Sequence, residues 1–227
     1  MSKDWSRISG AIAGVVFALL VFFSLTTVDP LREAGDTELL EWWSDEGNQQ
    51  ASYLSMYFRL LAIPFLLGFL VQFTSRLRTA EGSEGWSSLV FSSGLIYAAM
   101  LGVSALARGV IAQSVSLGDE PLPGVDLLRF ATEFAYQAFG LVAIPAAAIM
   151  VGAASVITLH TRAFSAWLGW IGILVAAASL VAVGLLVGAL ASPLLIIWVF
   201  AACFNLVRVP SHELPGSARG GPVRQAL

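Results

Sequence analysis

The chain has 227 residues, of which 57% are hydrophobic and only 12% charged, with a formal net charge of -3 at neutral pH. An ordinary soluble domain carries about a quarter of its residues as Asp, Glu, Lys and Arg. Half that share, with a mean hydropathy of +0.80, excludes such a domain and points to an integral membrane protein.

Taken from the N-terminus, Lys3 and Arg7 precede an apolar run, Ile8–Thr27. That run is longer than the apolar region of a signal peptide and no small-x-small cleavage site follows, so it reads as a first span. Residues 28–50 form an acidic loop containing "DTELLEWWSDEG". Asp36 or Thr37 can cap a short helix there and Gly47 can stop it, with Leu39, Leu40 and Trp43 on one face and Trp42 beside it. Two readings stand: an interfacial helix with its tryptophans at headgroup depth, or a lid over an outward-facing pocket.

Further apolar runs of bilayer-crossing length follow at Ala51–Thr74, Ser87–Gln113, Leu127–Leu159, Ala166–Val187 and Ala189–Val207. The last two are continuous and too long for one crossing, and Gly188, Ser192 and Pro193 supply a turn between them. The expected fold is therefore an all-α bundle of six spans over residues 1–207, with a Pro/Gly-rich tail, 208–227, expected to be disordered.

The charges test that count. Six spans with both termini cytoplasmic place Lys3, Arg7, Arg76, Arg78, Arg162, Arg208, Arg219 and Arg224 inside. They leave Arg32 outside, with Arg108 and Arg129 near span ends. Asp29, Glu33, Asp36, Glu38, Glu41, Asp45 and Glu46 then crowd the first outer loop, and Asp119, Glu120 and Asp126 the second. Five spans would move the basic C-terminus outside and spoil the pattern.

Ala-Ile-Pro occurs twice, in "FRLLAIPFLLGFLVQF" and "FGLVAIPAAAIMVGAA". Aligning Pro64 with Pro145 also aligns Phe58 with Phe139, Leu60 with Leu141, and Trp86 with Trp167. Either this is coincidence in a low-diversity apolar alphabet, or two helical hairpins of like orientation form a parallel repeat. A proline inside a span bends the helix and frees a carbonyl. Small residues at helical spacing, Gly10 and Gly14, then Gly94, Ala98 and Gly102, then Gly172, Ala176, Gly184 and Gly188, mark close helix packing. The first pair could also serve a homodimer.

Two ionisable residues fall inside expected spans. Arg59 lies about 12 Å below the start of the second and Glu133 about 9 Å below that of the fourth. A charge in hydrocarbon needs a protein or water partner, so the two are expected to interact. Arg129 and Gln137 extend a polar ladder one turn either side of Glu133, and Tyr53, Tyr57 and Tyr136 add hydroxyls. The cluster reads either as a bridge fixing helix pairing, or as a polar pocket for a small solute or proton.

Catalysis has little support. His160 and His212 both fall at the cytoplasmic edge, so no membrane-spanning bis-His haem is available, and no zinc-protease, nucleophile-elbow or phosphate-loop motif occurs. No metal or other cofactor is expected, and no nucleic-acid partner. The single cysteine, Cys203, offers no intramolecular disulfide. The expectation is a non-enzymatic binding, accessory or assembly component acting with a membrane-protein partner or as a homodimer; the alternative is a small-solute or proton transporter.

The stretches "TELLEWWSDEGNQQASYLSMYFRLLAIPFLLGFLVQFTSRLR", "EGSEGWSSLVFSSGLIYAAML", "HTRAFSAWLGWIGILVAAASL" and "LLIIWVF" resemble a large family of uncharacterised bacterial membrane proteins. The resemblance implies six helices in a bacterial cytoplasmic membrane, an acidic outer segment and an Arg-bearing turn before W-L-G-W. It implies no catalytic residues. Where many members have a proline before that motif, this chain has Ala166.

Overall fold

In the computed structural model, which describes residues 3–25, 34–82, 85–118 and 121–208, every regular element is helical. The helices are α1 (Lys3–Leu25), α2 (Asp36–Ser44), α3 (Glu46–Glu81) and α4 (Gly85–Gly118), then α5 (Val125–Gln137), which continues through a π-helical stretch, Ala138–Ala143, into α6 (Ile144–Thr161). α7 (Ala166–Gly184) and a 3₁₀ turn, Gly188–Ala191, lead into α8 (Ser192–Arg208). Counting α5 and α6 as one rod, six helices are long and apolar enough to cross a membrane. The expected all-α six-span bundle is the fold. The tail beyond Arg208 and the residues between Leu25 and Ala34 lie outside the described residues.

Each long helix packs against the next in sequence, and α8 closes the ring onto α1, with α3 and α6 also touching. The core holds Phe69, Phe73, Phe164 and Trp198. Phe73 stacks on Phe164 at 5.1 Å and meets Trp198 edge-on at 5.7 Å. Glycine permits the closest approaches. A Cβ on Gly10 would strike Gln72 of α3, one on Gly14 would strike Cys203 of α8 and Phe69 of α3, and one on Gly94 would strike Leu70. The Gly10–Gly14 seam is thus closed by helices of the same chain.

At the end of the bundle that carries the termini, basic side chains hold helix ends. Arg7 donates to the carbonyls of Leu206 (3.2 Å) and Val207 (2.9 Å), and Arg76 donates to Leu206 at 3.4 Å. Cations there satisfy the orphan carbonyls of α8 and oppose its dipole. The Glu81 carboxylate accepts from the amides of Trp86 and Ser87, both at 3.0 Å, and so caps α4.

The two prolines behave differently. Pro64 sits within an unbroken α3, whereas Pro145 opens α6 directly after the π-helical stretch. Proline cannot donate to the carbonyl four residues back and its ring presses on that group. The wider π turn accommodates this in the second rod. The buried faces nonetheless match: Ala62, Leu66, Phe69, Leu70, Phe73 and Thr74 are buried, and so are Ala143, Ala147, Met150, Val151, Ala154 and Ser155 at equivalent positions of the repeat.

The turn between the fifth and sixth spans falls at Leu185–Ala191, a little before Ser192 and Pro193. Leu186 takes a φ of 60° there, and Pro193 lies in the first turn of α8, where a missing N–H costs nothing. Gly188 fits because a Cβ would meet the Gly140 backbone.

The spanning rods fall into two lengths. The apolar rods of α1, α7 and α8 have 19, 19 and 21 residues, or about 28 to 32 Å, the thickness of a hydrocarbon core. Those of α3, α4 and α5–α6 have 36, 33 and 37 residues, or about 50 to 56 Å. Most of the surplus is at one end. Ser55 of α3 donates to the carbonyl of Ser24, near the top of α1, and Gly140 lies beside Gly188 at the top of the α7–α8 hairpin. Beyond that level α3 extends about 14 Å further and α4 and α5 about 20 Å, and with α2 these segments form a head opposite the termini.

Candidate functional site

The head is closed by α2, whose bounds differ from the sequence reading. Gly35 precedes it without any side-chain cap, and the helix ends at Asp45, not Gly47. The Asp45 side chain instead accepts from the Asn48 amide at 2.9 Å and starts α3, so Gly47 lies inside the next helix. Leu39 and Trp43 are buried against Ile111, Ala112, Leu128 and Ala131, with Tyr53 packed beside them, while Leu40 faces outward. Trp43 is fully buried, so α2 is packed into the head and covers its interior.

Beneath this cover α3 presents a buried polar stripe, Gln49, Ser52, Ser55 and Arg59. Gln49 donates to the Trp43 carbonyl at 2.7 Å and accepts from Ser116 at 3.2 Å. Arg59 is only 7% exposed. Its Nε donates to Ser24 Oγ at 3.3 Å, and its guanidinium lies 5.6 Å from the centroid of the Phe139 ring. On α4, Ser104 donates to the Ala135 carbonyl at 2.8 Å, fixing the register of α4 against α5, and Arg108 stands one turn above it.

Arg59, Ser104 and Arg108 line two small cavities in common. One, of about 10 Å³, is completed by Ser52, Ser55, Met56 and Ala105. The other, of about 50 Å³, is completed by Leu25, Ala135, Tyr136, Phe139 and Ala189. The first has room for about one water and the second for a few. Two guanidinium groups and four hydroxyls therefore face the cavities, and no described carboxylate lines either. Ser55 and Ser104 already donate to the Ser24 and Ala135 carbonyls, so the arrangement is one of hydroxyl groups around positive charge, suited to water or an anionic group.

The residues singled out from the sequence divide. Arg59 and Tyr136 are in this cluster. Glu133 and Gln137 are half-buried on α5 and line neither cavity. Arg129 is drawn toward α2, donating to Asp36 Oδ1 at 2.5 Å and to the Ala34 carbonyl at 3.1 Å. Tyr57 faces outward, away from the cluster. Pro64 is exposed on α3, and Pro145 lies below the π-helical stretch that carries Phe139. Arg59 also lies level with the end of α1, at the rim of the bilayer-length helices, rather than deep within the hydrocarbon. Ser24, Ser52, Ser104 and Arg108 were missed as site residues. Their signal was polar residues recurring at helical spacing in an apolar run, Ser52, Ser55 and Arg59 on α3 and Ser104 and Arg108 on α4.

Among the described residues no three His, Cys, Asp or Glu side chains come together as a metal ligand set. No family model, curated protein or solved structure matches the chain.

Proposed function

We propose that this is a non-enzymatic accessory or assembly component of a bacterial cytoplasmic membrane, with both termini cytoplasmic, that binds another membrane protein along its head. The observation that carries this reading is an apolar stripe on α5, above the level where α1, α7 and α8 end. Leu127, Phe130 and Phe134 are exposed there, Phe130 by 65%, with the two phenyl rings stacked at 5.8 Å. Exposed aromatic surface of this kind marks contact sites, and the stripe is continuous with the lipid-facing Leu141 and Val142 below it. A partner's transmembrane helix prolonged beyond the bilayer fits it. The narrow, divided polar interior supports binding over transport, which needs a continuous polar route. The positive-inside charge distribution supports the orientation, and the bacterial location rests on the sequence resemblance alone.

Photo-crosslinkers at Phe130 and Phe134 in native membranes should capture one defined membrane protein, and Phe130→Asp with Phe134→Asp should release it while the bundle still inserts. A lack of any discrete adduct, together with solute or proton flux through purified protein in liposomes, would replace this reading with the transporter.

A further inference from the structure

The two-arginine cavity does not stand alone. Leu25 lines its wall, and Leu25 also lines a second, much larger cleft of about 360 Å³ together with Phe22, Pro193, Ile196, Ile197 and Phe200. That cleft is apolar and lies between α1 and α8. It begins beside Pro193, one turn from the Ala189 that closes the polar cavity, and descends toward Phe200, about 10 Å further along α8. A cationic chamber at the rim of the bilayer-length helices thus lies beside an apolar slot running down into the hydrocarbon, with Leu25 at their common wall.

We propose that this composite site binds an anionic phospholipid. Its phosphate sits between Arg59 and Arg108, and one acyl chain lies in the α1–α8 cleft. The guanidinium fork matches phosphate oxygens, and basic pockets between transmembrane helices recognise lipid headgroups by this chemistry. Ser104 and Tyr136 complete the chamber wall, with the Ser104 proton already given to the Ala135 carbonyl. A second observation is independent of the arginines: Ser52, only 6% exposed, lines the adjoining small cavity, and its Oγ has no hydrogen-bond partner among the described residues. The hydroxyl of Ser52 is available to a ligand oxygen or to a water bridging to one. The acyl chain fits the cleft because its described lining is apolar and every residue of it is on a membrane-spanning helix. The head then acquires a fixed seat on the bilayer, since the lipid joins α1, α3, α4, α5 and α8 at one level.

The test uses the full chain in detergent and measures retained lipid by native mass spectrometry, with thermal melting alongside. Dioleoyl phosphatidylglycerol should be retained and should raise the melting temperature, whereas dioleoyl phosphatidylcholine should do neither. Arg108→Gln should weaken phosphatidylglycerol retention by about tenfold or more, the loss of one charge-assisted contact. Ile197→Trp, which fills the cleft from its outer side without touching the arginines, should weaken it as well, and it decides the matter should Arg108→Gln fail to fold. Stabilisation by inorganic phosphate alone, unchanged in Ile197→Trp, would assign the chamber to a free anion and overturn the lipid. Equal retention of both lipids, or indifference to both substitutions, would overturn the site.

Discussion

Arg59 shows how a single charge is accommodated where polar surface is scarce. Its Nε bonds Ser24, its guanidinium rests against the Phe139 ring, and it shares two cavities with Arg108. Two cations lining the same cavities need compensating negative charge, and where no lipid phosphate supplies it Glu133 is the nearest acid along α5, two residues above the Ala135 carbonyl that anchors Ser104. Removing one member of such a set strands the other, which costs more than removing both. Arg59→Leu and Glu133→Leu should therefore each lower thermal stability in detergent, and the double variant should recover part of the loss. Couplings across membrane helices average only about 0.6 kcal/mol, so the recovery is small and must be read from a complete double-mutant cycle. Strict additivity would show that Glu133 is not the counter-charge.

At the scale of elements, apolar runs and charges in the sequence were enough to identify six spans, because hydrocarbon length imposes a coarse ruler that composition obeys. They were not enough to place the ends. An apolar run ends where polar residues begin, yet α3 starts at Glu46 and α4 continues to Gly118, because beyond the rim the helices are held by a buried face rather than by an unbroken run. On α5 the buried face is Leu128, Ala131, Thr132 and Ala135, with Leu127, Phe130 and Phe134 exposed opposite it. The polar cluster was half legible for a related reason. Arg59 stood out as a charge within a run, while Arg108 looked like an ordinary span end, and only the packing of α4 on α3 brings them together. The junction of α2 and α3 was misread because Asp45 acts on both sides, ending one helix and capping the next. That predicts a ranking. Asp45→Ala should cost about 1 kcal/mol through the lost cap, whereas Asp36→Asn, which breaks a largely exposed bridge to Arg129, should cost less than about 0.5 kcal/mol. Thermal melts giving the reverse order would mean that α2 is held by its charge pair and not by Trp43 and the helix junction.

For the whole molecule, two kinds of helix end carry different charge and different work. At the termini end Arg7 and Arg76 hold the last carbonyls of α8, and Arg78, Arg162 and Arg208 are exposed around them. At the head end Asp36, Glu38, Glu41, Asp45 and Glu46 are exposed on α2 and the start of α3. In the proposed orientation, with the basic segments on the cytoplasmic side, the head and the α5 stripe lie outside. The chain's one cysteine, Cys203, is buried between α1 and α8, so single cysteines can be introduced against a silent background. A membrane-impermeant thiol reagent applied to intact cells should label Glu38→Cys on α2 and leave His160→Cys, exposed at the opposite end, unlabelled until the membrane is opened. Reporter fusions after Arg78, Glu120 and Arg162 should in turn read inside, outside and inside. Labelling of His160→Cys in intact cells, with Glu38→Cys protected, would invert the molecule and place the acidic head in the cytoplasm. A C-terminal reporter on the outer side, with the N-terminus inside, would instead show that α7 and α8 do not both cross.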